Sequence, residues 1–308
     1  MKIADKNFSG ESKIINGKEF AGEICNIVKK QVSLLQQNEN ITPGLAVVLV
    51  GSDPASKVYV SNKNKKAKEL GINSYEIILD KGISEEELLN KIEELNNDNK
   101  VNGILVQLPL PNHIDKLKII NAIDPNKDVD GFHKSNVGKL FTQQNGLVPC
   151  TPLGCILLLK KYLGMDLVGK KAVIFGRSNI VGRPMSELLQ QEHCTTVLLH
   201  ARSKNVIEEA QTADIIVSAI GKPNIINSGY IKPGAVVIDV GINRVTIDGK
   251  GKLVGDVDFD DVSSRASKIT PVPGGVGPMT IACLMINALK ATCWQNNLDE
   301  KLYLEDLI

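Results

Sequence analysis

The sequence lacks a surplus of charge of either sign and lacks long apolar runs. Lysine and arginine total 36 against 35 aspartates and glutamates, so the net charge of +1 creates no global attraction for nucleic acid or an anionic membrane. The first residues contain neither the apolar stretch of a signal peptide nor the arginine-rich pattern of a transit peptide. Apolar runs such as 45–50 and 281–286 are too short to span a bilayer. We therefore expect a soluble, cytoplasmic protein without nucleic-acid or membrane partners.

Closely spaced cysteine pairs are also lacking. The six cysteines show no C-x-x-C spacing and lie mostly in predicted helices and strands, which predicts buried free thiols, no disulfide and no zinc or other metal site. They are Cys25, Cys150, Cys155, Cys194, Cys283 and Cys293. Aromatic residues make up only 4% of a chain that is 43% hydrophobic, which is typical of α/β enzymes rich in valine, isoleucine and leucine.

A chain of 308 residues is long enough for two domains, and its pattern divides near residue 150. Strand-like runs alternate with helical patterns from Leu45 onward, which predicts parallel sheets covered by helices. The first series has strands 45–50, 74–79 and 103–108, helices 55–70 and 84–96, and a helix after His113. The second has helix 153–162, strands near 172, 196, 215 and 236, and a last helix from 280 to about 294.

The predicted fold class is therefore α/β, with two domains that each contain a mostly parallel sheet flanked by helices. We expect residues 1–149 to form a catalytic domain and residues 150–279 to form a Rossmann-type dinucleotide-binding domain. The C-terminal segment 280–308 is expected to pack back on the first domain.

The segment 173–184, VIFGRSNIVGRP, has the layout of a dinucleotide site. A short apolar run ends in a turn at Gly176, and Gly182 opens a predicted helix whose free amides can face a pyrophosphate. The match to the common fingerprint is imperfect, since Ser178 stands where a second glycine is usual and the last glycine comes late.

The second strand of this domain indicates which cofactor is bound. A site for NAD usually has an acid after this strand to bind the ribose 2′-hydroxyl, and none is present after residue 199. Arg202, Ser203 and Lys204 follow instead, and Arg177 lies in the glycine turn. Guanidinium and ammonium groups suit a 2′-phosphate, which favours NADP over NAD. Solvated loop cations would explain Arg202 and Lys204 equally well.

Polar side chains in the first domain are candidates for chemistry. Tyr59 and Lys63 are four residues apart and share one helix face, where a phenol and an amine could bind substrate and transfer protons, although a solvated basic helix with a core tyrosine has the same spacing. Gln107 is the polar residue near the carboxyl end of strand 103–108, where ligands of parallel sheets bind. It could equally bond a neighbouring loop.

Two further segments are unusual. Residues 124–133, DPNKDVDGFH, resemble the start of a calcium loop, but Asn126 and Val137 stand where that loop needs Asp and Glu, so we exclude calcium. One aspartate there could accept a hydrogen bond from a ring amide, or the segment could simply form an Asx turn. Residues 270–280, TPVPGGVGPMT, could present backbone amides to a flat ligand or form a structural elbow.

Six blocks in order, covering nearly the whole chain, closely resemble the bifunctional methylenetetrahydrofolate dehydrogenase/methenyltetrahydrofolate cyclohydrolase family. They are YVSNKNKKAKELGI from Tyr59, GILVQLPLP from Gly103, KDVDGFH from Lys127, PCTPLG from Pro149, GRSNIVGRPM from Gly176 and PVPGGVGPMT from Pro271. The resemblance implies a two-domain fold with a cleft, usually a homodimer through the nucleotide domains. It also implies oxidation of 5,10-methylenetetrahydrofolate with NADP and hydration of the methenyl product to 10-formyltetrahydrofolate, a one-carbon interconversion that supplies purine and amino-acid biosynthesis.

The resemblance also implies roles for individual residues. Lys63 would be the principal cyclohydrolase residue and Gln107 would bond and tune it, while Tyr59 would orient the folate and Asp130 would hold the pterin. The expected cofactor contacts are Gly176, Arg177, Ser178, Ala201, Arg202, Ser203 and Ile242. The expected walls of the substrate cleft are Cys150, Thr151, Pro273 and Gly277. Ala201 departs from relatives that carry a serine there, and Arg177, Arg202 and Ser203 could compensate for the lost phosphate contact.

Three other functions remain open from the residues alone. One is a dehydrogenase-only member of the same family, which would not require Lys63. A second is another two-domain NAD(P)-dependent dehydrogenase acting on a hydroxy or amino acid, which gives no reason for Tyr59 and Lys63 on a lysine-rich helix. The third is a non-catalytic dinucleotide sensor.

Overall fold

The structure, a computed structural model, describes residues 13–247 and 250–304. Helices and strands alternate along the chain. Up to residue 149 they are α1 (Gly17–Glu39), β1 (Gly44–Val50), α2 (Pro54–Glu69), β2 (Asn73–Leu79), α3 (Glu85–Asn97), β3 (Gly103–Val106), α4 (Lys116–Ile120) and α5 (Lys134–Phe141). They continue with α6 (Cys150–Leu163), β4 (Lys171–Phe175), α7 (Gly182–Gln191), β5 (Thr195–Leu199), α8 (Val206–Ala210), β6 (Ile215–Ser218), β7 (Val236–Asp239), β8 (Asn243–Ile247), β9 (Lys250–Val254), α9 (Phe259–Ser263), β10 (Lys268–Ile269), α10 (Val276–Gln295) and α11 (Lys301–Leu304).

The chain divides into two compact units. The three-stranded unit contains Glu23–Cys150 and the described residues from Ile281 onward, and the five-stranded unit contains Thr151–Thr280 and the described residues up to Gly22. Residues 13–22 thus lie outside the unit in which 1–149 was expected. Two backbone hydrogen bonds of 2.8 Å explain this difference, from Ile15 N to Ile269 O and from Lys18 N to Gly274 O.

The three-stranded unit contains a parallel sheet in the order β2-β1-β3. All seven residues of the central strand β1 are buried, as expected for an apolar strand covered on both faces. Helix α3 begins with a capping box formed by Ser84 and Glu87 and buries Leu88, Ile92 and Leu95, whose spacing forms one apolar stripe. This packing fixes the sheet that contains β3, whose carboxyl end carries Gln107.

The five-stranded unit contains a parallel sheet in the order β10-β7-β6-β4-β5. The chain passes from β4 to β5 on one side and then to β6 on the other, so the order reverses at β4. In such sheets the ligand crevice lies at the carboxyl ends of the strands beside the reversal. An antiparallel hairpin, β8–β9, follows β7. The predicted α/β class, with a Rossmann-type sheet in the second half of the chain, is confirmed.

Several element boundaries differ from the prediction. The strand expected to reach residue 108 ends at Val106, because Pro109 has no amide for the ladder and restricts the residue before it. The last helix begins at Val276 rather than Thr280, because Pro278 falls in its first turn, where a missing amide costs nothing. The sequence patterns do not predict helix α1 or the β8–β9 hairpin.

Helix α10 is long and apolar enough to cross a membrane by length and composition alone. However, 78% of its apolar window is buried inside the protein, and buried core helices pass the same test. Its apolar composition is therefore explained by packing.

We expect Gly131→Ala to lower the free energy of unfolding by about 2 to 4 kcal/mol. Gly131 has a φ of +72°, and a Cβ there would lie 2.7 Å from the backbone nitrogen of Pro149. Gly138→Ala in α5 is the matched control, because nothing lies within 4 Å of its Cβ position and alanine favours a helix. Denaturant unfolding of both variants measures the difference. Equal unfolding free energies would contradict the expected strain at Gly131.

Candidate active site

A buried lysine and a glutamine form the centre of the candidate site in the three-stranded unit. Lys63 lies on α2, which begins where the Asp53 carboxylate accepts the amide of Ser56 at 2.8 Å. Only 8% of Lys63 is exposed, and its Nζ donates to Oε1 of Gln107 at 3.0 Å. Two residues predicted separately are thus brought together across 44 positions of sequence.

Gln107 is held rigidly at the point where β3 ends. Its backbone amide donates to the carbonyl of Val48 at 2.8 Å, and its side-chain Nε2 donates to the carbonyl of Leu108 at 2.7 Å. Because the Nε2 group is already used, the amide oxygen is directed at Lys63. Gln107 therefore fixes the position of the Lys63 ammonium group.

Asp130 contributes a carboxylate to the same cluster. Burial raises the pKa of Asp130, and the positive charge of Lys63 opposes that rise, so the two charges interact. Among the described residues the Asp130 carboxylate has no hydrogen-bond partner, although the residue is only partly exposed. A partly buried acceptor with unfilled capacity suits a ligand that offers N–H groups.

Tyr59 lies one turn before Lys63 on the same face of α2 and is partly buried. Burial raises the pKa of the Tyr59 phenol, so it stays protonated at neutral pH. Its ring and hydroxyl can both contact a flat substrate. The helix is therefore more than a solvated basic surface, because this face carries a buried lysine.

The charged neighbours of Asp130 build the turn that presents it. The Nζ of Lys127 donates to three carbonyls at the end of α3, those of Leu95, Asn96 and Asp98, at 3.2, 2.7 and 2.9 Å. Asp128 is buried, and its Oδ2 accepts the backbone amide of His133 at 2.8 Å and Nδ2 of Asn136 at 2.9 Å. Burial raises the pKa of Asp128 to about 7. Lys127 and Asp128 are thus structural.

Asn287 on α10 also fixes this turn, and it is not among the site residues predicted from the sequence. It is 2% exposed, and its Nδ2 donates at 2.8 Å to the carbonyls of both Val129 and Val148. The Sγ of Cys150 donates to the same Val129 carbonyl at 3.2 Å. Burial, with the charge of Asp130, raises the pKa of Cys150 well above its usual value, so the thiol stays neutral. An asparagine within an apolar helix was the sequence signal for such a role.

The glycine turn of the five-stranded unit has the geometry of an anion site. Gly176 has a φ of +101°, and a Cβ on Gly182 would lie 1.8 Å from the carbonyl oxygen of Gly176, so only glycines allow this approach. Ser178 supports the turn, since its hydroxyl accepts the amide of Val181 at 3.2 Å and its carbonyl accepts that of Arg183 at 3.1 Å. Within the described residues no side chain caps the start of α7, which leaves that helix end available to a phosphate.

The predicted cofactor residues after β5 form a tight turn. His200 N donates to Oγ of Ser203 at 3.0 Å, and Ser203 N donates back to the carbonyl of His200 at 2.8 Å. This arrangement leaves Ala201 and Arg202 exposed at the carboxyl end of the strand, and Arg177 is exposed after the neighbouring strand β4. The structure therefore places two guanidinium-bearing turns at adjacent strand ends.

The remaining predicted residues of the five-stranded unit lie in two places. Ile242 is 42% exposed, and a Cβ on Gly277 would lie 3.6 Å from its Cδ1, so these two residues are neighbours. Thr151 shares a hydrogen bond of 2.9 Å with the hydroxyl of Thr280, while Pro273 is exposed. Cys150, predicted as a cleft wall, is fully buried in the three-stranded unit behind the turn that carries Asp130.

None of the six cysteines forms a disulfide, and all six are buried. Across residues 13–247 and 250–304, no group of three or more histidine, cysteine, aspartate or glutamate side chains is arranged to hold a metal ion. The polar groups that the two sites do offer are an ammonium–amide–carboxylate cluster in one unit and a glycine turn with guanidinium groups in the other. The first can move protons and the second can bind a phosphorylated dinucleotide.

Known proteins share these two units. The catalytic-domain model of tetrahydrofolate dehydrogenase/cyclohydrolase matches residues 15–130, and the NAD(P)-binding-domain model of the same enzymes matches residues 149–296. The bifunctional protein FolD of a Wolbachia species (subsp. Brugia malayi, strain TRS) is 55% identical over 287 residues, which cover 93% of this chain and 97% of that protein.

Solved structures give the same result. The bifunctional FolD methylenetetrahydrofolate dehydrogenase/cyclohydrolase of Campylobacter jejuni is 46% identical with a TM-score of 0.88, covering 92% of this chain and 99% of that one. The Trypanosoma brucei methylenetetrahydrofolate dehydrogenase-cyclohydrolase, solved with NADP and an inhibitor, is 36% identical with a TM-score of 0.89, covering 93% and 99%. The resemblance found in the sequence motifs is thus confirmed, and this chain belongs to the tetrahydrofolate dehydrogenase/cyclohydrolase family.

Proposed function

We propose that this protein oxidises 5,10-methylenetetrahydrofolate to 5,10-methenyltetrahydrofolate with NADP and then hydrolyses the product to 10-formyltetrahydrofolate. The observation that carries the proposal is the hydrogen bond from buried Lys63 to Gln107 near Asp130, whose carboxylate has no hydrogen-bond partner among the described residues. The hydrolytic reaction needs a group that transfers protons next to an acceptor that binds the pterin, whereas the oxidative reaction needs no proton-transferring group. A spectroscopic assay of methenyl formation and decay, with NADP and with NAD, tests both steps.

In the hydrolytic step Lys63 transfers protons. Water adds to the methenyl carbon, a carbon–oxygen bond forms, and one of its protons is released to solvent. The remaining hydroxyl proton leaves as the formyl carbonyl forms, one ring carbon–nitrogen bond breaks, and that nitrogen takes up a proton. Lys63, oriented by Gln107, is the group that relays this proton. Asp130 accepts hydrogen bonds from the pterin N–H groups, and the protonated phenol of Tyr59 contacts and orients the ring.

In the oxidative step the protein mainly positions the reactants. NADP, when bound, supplies the hydride acceptor. Gly176, Ser178 and the open start of α7 bind the pyrophosphate, and Arg177, Arg202 and Ser203 bind the 2′-phosphate. Ile242, Pro273 and Gly277 contact the rest of the cofactor and the substrate, and Thr151, whose hydroxyl is hydrogen-bonded to that of Thr280, contacts the substrate. No proton transfer is required, because hydride departure leaves a stabilised cation.

We also propose that the protein acts in the cytoplasm as a homodimer without nucleic-acid or membrane partners. The near balance of 36 basic and 35 acidic residues supports the absence of an electrostatic docking surface. Homodimer formation through the nucleotide-binding unit is supported by the family resemblance.

We expect Lys63→Met to lower the rate of methenyltetrahydrofolate hydrolysis by about 100- to 10,000-fold while much of the NADP-linked oxidation remains. The methionine side chain has a similar length but cannot transfer a proton, whereas oxidation depends on positioning. Methenyl absorbance, followed with and without NADP, measures both rates. Lys65→Met, an exposed position on the same helix, is the control. An equal fall in both rates would show that Lys63 only binds the substrate or stabilises the fold. Absence of hydrolysis in the wild-type enzyme would indicate a dehydrogenase-only protein.

We expect folate affinity to be lost on acidification. The loss should occur at a higher pH than the ordinary pKa of an aspartate would give, because burial raises the pKa of Asp130. The ionised carboxylate is required, so affinity is full above the raised pKa and is lost as the pH falls through it. Lys63→Met removes the charge that opposes this rise and should move the loss to higher pH still. Calorimetry across pH measures it, with Asp130→Asn as a control that should bind weakly at every pH. A pH profile unchanged by Lys63→Met would contradict the proposed coupling.

We expect Arg177→Ala to weaken NADP binding by about 10- to 100-fold while NAD binding changes little, since one charged hydrogen bond to a phosphate is worth about 1.5 to 3 kcal/mol. The control is Arg265→Ala, an exposed arginine whose carbonyl accepts the amide of Gly234 before β7 begins. Dissociation constants for both cofactors are measured on each variant. Equal losses for NADP and NAD would remove Arg177 from the 2′-phosphate site.

A further inference from the structure

Asp256 is a fully buried carboxylate that gathers donors from two separate loops. Its Oδ2 and Oδ1 accept three consecutive backbone amides, those of residues 220–222, at 2.6, 3.1 and 3.0 Å. Its Oδ1 also accepts Nδ2 of Asn243 at 2.9 Å, and its Oδ2 accepts the hydroxyl of Ser218 at 3.3 Å. All five partners are donors, so only a group that is purely an acceptor can satisfy them together.

A second buried carboxylate fixes the first. Asp239, at the end of β7, accepts the amides of Gly241, Asp256 and Val257 at 2.9, 3.0 and 2.9 Å. A Cβ on Gly241 would lie 2.1 Å from Oδ1 of Asp256, so the chain passes directly against this carboxylate. The segments 219–222 and 241–243 are thereby tied to one point.

Both tied segments lie where a dinucleotide binds. They follow β6 and β7 at the carboxyl edge of the sheet, which is the ligand edge of a parallel sheet. The amide of Ala219 donates to the carbonyl of Phe175 at 2.8 Å, and the carbonyl oxygen of Ala219 would lie 2.2 Å from a Cβ on Gly176. The segment held by Asp256 therefore packs against the glycine turn itself.

The strand order indicates which half of the cofactor these segments meet. In this fold the adenosine ribose, which carries the 2′-phosphate of NADP, lies over the strand after the glycine turn, here β5. Strands β6 and β7 lie on the other side of β4, so the nicotinamide half extends over them. Ile242, an expected cofactor contact, is the exposed neighbour of Asn243.

We propose that Asp256 is a positioning residue for the nicotinamide half of the cofactor. Its carboxylate, supported by Asp239, holds residues 219–222 and 241–243 at the fixed distance from the glycine turn that the cofactor requires. It contacts these segments and not the cofactor. The proposal rests on the cofactor site proposed above.

Asp256→Asn tests the proposal, because the asparagine amide keeps the shape of the carboxylate but replaces one acceptor oxygen with an NH2 group. That NH2 group would face N–H donors that a carboxylate oxygen accepts in the wild-type protein. NADP and NAD affinities should both fall by about 10- to 100-fold, with their ratio unchanged, since neither tied segment faces the 2′-phosphate. Hydrolysis of methenyltetrahydrofolate, assayed without cofactor, should persist and shows that the protein is folded. Asp258→Asn is the matched control, because Asp258 only caps α9 and asparagine caps equally well.

A second variant covers the case in which Asp256→Asn does not fold. Asn243→Ala removes one of the five donors and should lower both cofactor affinities severalfold, again without changing their ratio. Unchanged affinities in the folded variants, together with a selective NADP loss in Arg177→Ala, would overturn the role of Asp256 alone. Unchanged affinities in Arg177→Ala as well would overturn the proposed cofactor site.

Discussion

The structure depends on buried carboxylates that accept the backbone amides of loops at strand ends. When a parallel strand ends, the amides that follow lose their ladder partners and must be satisfied in another way. Asp256 accepts amides that follow β6 and Asp239 accepts the amide of Gly241 after β7, while Asp128 accepts the amide of His133 in the turn that carries Asp130. Both units therefore solve the same problem with the same chemistry. The loops can then be irregular in course and still hold their side chains in place.

Burying these carboxylates has a cost, and the pKa values show it. Burial raises the pKa of both Asp128 and Asp239 to about 7, while the amides they accept pull in the opposite direction. A side chain used only to fill space would be better apolar, since an unpaired buried charge is destabilising. The hydrogen bonds to these carboxylates stabilise the ordered conformation of the loops. Function requires that order, whereas core packing does not.

Local patterns in the sequence predicted the parts of the structure that are themselves local. Strand β1, the glycines at 176 and 182 and the helix carrying Lys63 follow from periodicity and turn chemistry over a few residues. Asn287 meets a carbonyl 158 residues away, and Asp256 meets amides 34 to 36 residues away, so no short-range signal could pair them. Gln107 is intermediate, because its place near a strand end was predictable while its bond to Lys63 depends on how α2 packs on the sheet.

The motif from Lys127 to His133 shows how adjacent charges divide between structure and function. Lys127 and Asp128 have their hydrogen-bonding capacity filled by the protein, through the carbonyls that end α3 and through donors within the turn. Asp130, two residues later, interacts electrostatically with Lys63 and has no hydrogen-bond partner among residues 13–247 and 250–304. Composition cannot separate these two aspartates, because each is an acid in the same polar turn. What separates them is whether hydrogen-bond donors of the protein already bond the carboxylate. The Asp130 carboxylate, which has no such donor among the described residues and interacts with the buried Lys63 ammonium group, is available to a substrate.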